Sequence, residues 1–221
     1  MDPLAESFIN LTPYNYVANN PILNFDPNGD TIVNHNHSAQ FLNQEYANGL
    51  NVDLEKSPFS FGDNNKLQVD SEKLNALEGE TFELASKINE LAVHPDYLFI
   101  AKTEVGEVAF SDVINNAGGK TAMHINPKGK NGNKTIGTVF LASDLPDELK
   151  TSTNKSGQTY ENSLYSIFYH EQGHVYFSKI RNLNGPNNGL NSVVQFGDVT
   201  RKLNNQKYLR YDHKNYKKTK K

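Results

Sequence analysis

The stretch SLYSIFYHEQGHVYFSKIR, residues 163–181, decides how this chain is interpreted. It contains no proline, and its apolar residues recur at helical spacing, so we predict one helix across it. Within it, His170, Glu171 and His174 fit the pattern H-E-x-x-H. Positions i and i+4 of a helix share one face, so the two imidazoles could bind a single metal ion.

The residue types of this motif indicate a hydrolase that uses zinc. Glu171 would flank the metal, where it could take a proton from a bound water. A mid-helix glycine costs roughly 1 kcal/mol against alanine, so Gly173 predicts a close packing partner over the site. The structural alternative is a buried helix with two hydrogen-bonded histidines. Either Asn162 or Ser163 can cap the start of the helix.

Two imidazoles are not enough for a catalytic zinc site, which needs a third protein ligand and an open position for water. Asp198 is the first choice, on a helix predicted for residues 192–203. Asp212 and His213 are the second choice, and His124 is the third. The alternatives are an exposed helix carboxylate for Asp198 and a structural role for His124.

Composition excludes several classes of protein. The chain has 221 residues and a formal net charge of −3, which does not favour nucleic-acid binding. It has no cysteine, so neither a disulfide nor a thiolate metal ligand is available. No apolar run is long enough for a membrane span, and the first 25 residues lack the pattern of a signal peptide. We therefore expect any export signal to lie in another part of a longer chain.

Residues 1–30 read MDPLAESFINLTPYNYVANNPILNFDPNGD, with closely spaced prolines that exclude a long helix. Short β pieces and turns are expected here. Pro21, Asp26, Pro27 and Gly29 fit the boundary motif P-x4-D-P-x-G. On these residues the segment resembles the end of the RHS repeat-associated core domain of Rhs/YD-repeat proteins.

That resemblance implies much of the expected biology. In the family, the repeats form a β-cage, and a variable toxin domain follows the boundary motif and is sometimes released by cleavage. An aliphatic residue usually follows the glycine, whereas this chain has Asp30. The resemblance implies a toxin that begins near Thr31, is exported with the rest of an Rhs core, and acts in the cytoplasm of a target cell. A cognate immunity protein would neutralise it in the producer.

The lead-in, residues 31–95, is predicted to be loop-rich up to residue 70. His35-Asn36-His37 could ligate a metal, although a solvated loop is the favoured interpretation. A helix is predicted from Asp70 to Val93, and Gly79 divides it in two.

Strand-like runs follow at residues 97–102 and 105–110, and residues 121–126 and 135–142 are predicted to form a hairpin. The strand around residues 138–142 could be a sheet edge that binds an extended peptide, or a plain core strand.

The second half of the chain also resembles zinc metallopeptidase domains of polymorphic toxins. Those domains follow H-E-x-x-H with a helix of the type E-x-x-A-V-x-x-E-N-x-x-R and then L-R. The residues that fit are Val193, Val194, Phe196, Arg201, Leu209 and Arg210. The acidic positions of the pattern fall on Leu190 or Asn191 and on Gly197, beside Asp198.

Together these features predict an α+β, zincin-like fold over residues 96–221, with a small mixed or antiparallel sheet packed on the active-site helix. The predicted function is a zinc-dependent metalloendopeptidase toxin that cleaves a protein of the target cell. One alternative is a metal-dependent nuclease that recruits His35, His37, Asp212 and His213. The other is a catalytically degenerate binding module.

Overall fold

The computed structural model describes residues 32–63, 65–94, 96–103, 119–123, 135–145 and 147–210. The N-terminal segment with the boundary motif Pro21, Asp26, Pro27 and Gly29 therefore lies outside the described residues. So do the predicted strand at 105–110 and the candidate ligands His124, Asp212 and His213.

Strands and helices alternate along the described chain. The strands are β1 (Ile32–Asn34), β2 (Phe59–Phe61), β3 (Leu67–Val69), β4 (Tyr97–Thr103), β5 (Gly119–Met123), β6 (Thr135–Ala142), β7 (Thr151–Thr153) and β8 (Thr159–Glu161). The α-helices are α1 (Ala39–Leu50), α2 (Ser71–Asn75), α3 (Gly79–Ala92), α4 (Leu164–Val175), α5 (Gly185–Ser192) and α6 (Asp198–Leu203). Two π-helical turns occupy Tyr176–Ile180 and Val193–Gly197.

The motif helix forms where the sequence predicts it. Ser163 is the N-cap of α4, and its hydroxyl accepts the N–H of Ser166 while the Ser166 hydroxyl reciprocates at the cap backbone. The first π turn continues α4 as far as Ile180. The predicted end near residue 181 is thus confirmed.

A mixed four-stranded sheet packs against α4. Its strand order is β1-β4-β6-β5, with β1, β4 and β6 parallel and β5 antiparallel to β6. The predicted pairing of the strands around residues 121 and 139 is confirmed. Since β6 lies between β4 and β5, it is an interior strand of the described sheet, and the edge beside it is β5. With two small antiparallel hairpins, β2–β3 and β7–β8, the fold agrees with the α+β class.

The lead-in differs from the prediction at one place. Residues 39–50 form α1, capped by the Ser38 side chain, where a loop was expected. Its buried residues, Leu42, Tyr46 and Leu50 among them, alternate with asparagine and glutamine, which hid the helical pattern. The predicted division at Gly79 is confirmed, because Gly79 has φ +56° and begins α3.

One hydrophobic core joins the lead-in to the second half. Tyr46 on α1 packs edge-on against Phe168 of α4, with ring centroids 4.9 Å apart. The Tyr46 hydroxyl donates to Gln172 Oε1 at 2.8 Å, and the Tyr169 hydroxyl donates to the Tyr46 carbonyl at 3.0 Å. Burial raises the pKa of both tyrosines well above their usual range. These contacts fix one face of α4 and leave the histidine face to the other elements.

The α5–π–α6 run crosses α4 at Gly173. A Cβ on Gly173 would lie 3.0 Å from the Phe196 ring and 3.1 Å from the Ser192 Cα. The close packing partner predicted from this glycine is therefore confirmed. Helical structure was predicted for residues 192–203, and it begins earlier, at Gly185.

None of the helices in the described ranges is long and apolar enough to cross a membrane.

Candidate metal centre

The motif residues converge at the side of α4 that faces β5 and the α5–π–α6 run. The rings of His170 and His174 lie 4.7 Å apart between centroids, at an interplanar angle of 73°. Together with Glu171, they offer ligand atoms that all lie within 4.8 Å of one another. Within the described ranges, this is the group of His, Asp and Glu side chains that could hold a metal ion.

The group is largely buried, with 6 % of His170 and 7 % of Glu171 exposed and His174 more open. Glu171 Oε1 lies 3.8 Å from His170 Nε2. Buried imidazoles and a carboxylate at such separations suit zinc, which takes nitrogen and oxygen donors at about 2.0–2.2 Å. The donor set and its spacing therefore fit a zinc ion.

Glu171 is held by the edge strand. The Thr121 hydroxyl on β5 donates to Glu171 Oε2 at 2.7 Å and lies 2.8 Å from the Glu171 carbonyl oxygen. One carboxylate oxygen is thus tied to β5, while the other, Oε1, is nearer His170. Nothing in the sequence pattern points to Thr121, because the contact depends on the sheet register.

His174 is held by α5. Its Nδ1 lies 2.6 Å from Asn188 Oδ1, and Asn188 Nδ2 donates to the His174 carbonyl at 2.9 Å and to the Leu183 carbonyl at 3.1 Å. The sequence analysis missed Asn188. It falls two residues before the first acidic position considered for the resembled helix pattern, and an asparagine is not a signal for a metal ligand.

Asp198 stands apart from this group. Its Oδ1 lies 3.2 Å from Arg201 Nη1 and accepts the Arg210 backbone N–H at 2.9 Å. Both side chains are buried, with 1 % of Asp198 and 3 % of Arg201 exposed. The interpretation of Asp198 as an exposed carboxylate does not hold. Its role as a zinc ligand stays a prediction, and the structure gives its carboxylate an arginine partner.

The Arg201 guanidinium is enclosed on its other sides as well. It lies 5.1 Å from the centre of the Tyr160 ring, and its Nε donates to the Glu161 carbonyl at 3.3 Å. Burial lowers the pKa of Arg201, and the charge of Asp198 opposes that change. This is a charge pair with its own aromatic and backbone support.

His37 is the other histidine singled out in the sequence, and the solvated loop expected there is wrong for this residue. Its ring is buried and stacks on Phe41 at 5.0 Å, and burial lowers its pKa to about 4. Its backbone N–H donates to Asn34 Oδ1 at 2.9 Å. These contacts describe a packed neutral imidazole.

Comparison with known proteins gives no match: no family model, no curated protein and no solved structure matches this chain.

Proposed function

We propose that this chain carries a zinc-dependent metallopeptidase site on a zincin-like scaffold, with His170 and His174 as ligands and Glu171 as the general base. The observation that carries the proposal is the convergence of two imidazoles and a carboxylate on one face of α4. The antiparallel edge strand, tied to Glu171 through Thr121, supports it further.

When bound, zinc would polarise the scissile carbonyl and lower the pKa of a bound water toward about 7. Glu171 then accepts the proton of the attacking water and delivers it to the nitrogen of the leaving amine. Thr121 keeps one carboxylate oxygen on β5, so the other is the oxygen directed at the reacting water. The histidines remain neutral ligands throughout.

The substrate side of the proposal rests on β5. Within the described sheet, β5 pairs with β6 on one side only, so its other side could hydrogen-bond an extended peptide. Such a peptide would run past Thr121 and hence past Glu171. A protein substrate in extended conformation is therefore the class that this geometry favours.

The third ligand is the incomplete part of the site. His124, Asp212 and His213 remain candidates, and Asp198 would have to give up Arg201 to join them. If none of the four binds zinc, the chain is the degenerate binding module considered above.

The resemblance of residues 1–30 to an Rhs core boundary supports the wider role that we propose. The domain would be the toxin of an exported Rhs effector, acting on an intracellular protein of a target cell and restrained in the producer by an immunity protein.

The test compares hydrolase classes directly. The purified chain is incubated with casein and with plasmid DNA, with and without a chelator, and its zinc content is measured. We expect chelator-sensitive cleavage of casein and about one zinc per chain. Cleavage of plasmid alone would favour the nuclease alternative, and a folded chain without zinc would favour the binding module.

A further inference from the structure

The side chain of Asn188 bridges the ring of His174 and the main chain around it. Its Nδ2 has two carbonyl oxygens within hydrogen-bond distance, those of His174 and Leu183. Its Oδ1 lies 2.6 Å from His174 Nδ1. The residue is only 7 % exposed, so water is a poor substitute for these partners.

The two carbonyls fix which way the amide points. If the amide were reversed, its oxygen would face two carbonyl oxygens at 2.9 and 3.1 Å, and three acceptors would meet without a donor. Nδ2 must therefore face the main chain, and Oδ1 must face the imidazole. The Ser192 hydroxyl, 3.4 Å from Oδ1 and 2.7 Å from the Asn188 carbonyl, can only add a donor there.

An amide oxygen is an acceptor only, so the atom opposite it must carry a proton. In a neutral imidazole one nitrogen is a donor and the other an acceptor. With the proton on Nδ1, the lone pair of His174 lies on Nε2.

We propose that Asn188 is a positioning residue that selects Nε2 of His174 as the atom offered to the metal. The metal part of this inference rests on the proposed function, whereas the choice of tautomer does not. The same amide holds the end of the His174 turn to Leu183, so the ring and the backbone that carries it are fixed together. Without Asn188, the proton would be shared between the two ring nitrogens, and the ring could rotate.

The chain offers a matched control on the same helix. Asn191 makes hydrogen bonds of the same chemical kind, donating to the Asn187 carbonyl at 2.8 Å and accepting from Gln195 Nε2 at 2.8 Å. These bonds are local to the α5–π run. Asn191→Ala therefore removes an amide from this run and leaves the Asn188–His174 contact in place.

The first measurement uses metal-free protein labelled with ¹⁵N histidine at pH 8, observed by long-range ¹H–¹⁵N correlation. We expect His174 as the Nδ1–H tautomer in the wild type and in Asn191→Ala, and a shift toward Nε2–H in Asn188→Ala. A wild-type spectrum with the proton on Nε2 would overturn the inference. This result needs no variant, so it stands even if Asn188→Ala does not fold.

The second measurement is zinc affinity by competition with a chromophoric chelator. We expect binding about 10- to 100-fold weaker in Asn188→Ala and unchanged in Asn191→Ala. Asn188→Asp keeps an acceptor at Nδ1 but turns an oxygen toward the two carbonyls, so it should lose stability and retain most of the affinity. Equal affinity of folded Asn188→Ala and wild type would contradict the inference. A wild type that binds no zinc would instead refute the proposed site, and the metal-free spectrum would still decide the tautomer.

Discussion

Two buried polar clusters lie on either side of Gly197, and they satisfy their charges in different ways. A Cβ on Gly197 would lie 3.3 Å from the His170 Cβ and 3.2 Å from Arg201 Nη1, so the clusters are close neighbours. In one, Asp198 pairs with a permanent cation. In the other, Glu171 is held by the neutral hydroxyl of Thr121. The first cluster is complete as protein, whereas the second is suited to an added cation.

Glu171→Gln should break this comparison most severely. The amide keeps the shape of the side chain but cannot accept the water's proton, so peptide cleavage should fall by at least about 10²- to 10⁴-fold. Zinc content and thermal unfolding should stay close to those of the wild type. The same variant should abolish growth inhibition when it is expressed in the cytoplasm of a test cell. Undiminished cleavage would remove Glu171 from the mechanism.

Asp198→Ala tests whether the second cluster is purely structural. It leaves the buried Arg201 guanidinium without its carboxylate, and the free energy of unfolding should drop by roughly 3–5 kcal/mol in urea titrations. Asp198→Asn should lose less, because it keeps an acceptor for the Arg210 N–H. Zinc stoichiometry should be unchanged in any fraction that folds. Loss of zinc from a folded Asp198 variant would establish Asp198 as the third ligand.

Glu45 shows what happens to a buried carboxyl that has neither kind of compensation. Burial raises its pKa to about 7, and the amide of Asn48, at 3.5 Å, opposes this only weakly. A raised carboxyl pKa stabilises the fold fully below the ordinary value of 4.5, and this contribution is lost as pH rises through about 7.

Glu45→Gln should therefore abolish part of the pH dependence of folding. Between pH 4.5 and 8 the wild type should lose up to roughly 3 kcal/mol of stability that the variant keeps. Urea titrations at several pH values measure the difference. Parallel curves for the two proteins would show that Glu45 ionises in the fold without this penalty.

Gly173→Ala sharpens the comparison from the packing side. The added methyl would meet the Phe196 ring and the Ser192 backbone at 3.0–3.1 Å, and overpacking of this kind costs about 1–3 kcal/mol. It would also push α5, and with it Asn188, away from His174, so zinc affinity should fall together with stability. Gly62→Ala is the control, because its Cβ would meet only the flexible Gln68 side chain. Equal melting temperatures for the two variants would argue against a tight helix crossing.

The sequence was most informative where a local rule is strict. The span of α4, the Asp70 cap, the break at Gly79 and the crossing at Gly173 follow from capping, helical spacing and the absence of a Cβ, and the structure agrees with each. It was least informative for α1, whose asparagines and glutamines imitate a loop.

The supports of the site could not be read from the sequence for a different reason. Thr121 and Asn188 are 50 and 14 residues away from the side chains they hold. Their contacts depend on strand register and on the angle between helices, which no local pattern encodes. Asp198 shows the reverse case: a residue in a suitable interval can be claimed by a partner three positions along its own helix.

The π turn at Tyr176–Ile180 has a consequence for how this chain can vary. A π turn holds one residue more than an α turn, so a single deletion there would restore ordinary helix and rotate everything downstream by about 100°. Leu183 would swing away, and its carbonyl would no longer anchor the neighbouring asparagine. Length at this point is thereby constrained: related chains with one residue fewer between 176 and 180 would need another means of steering the second imidazole.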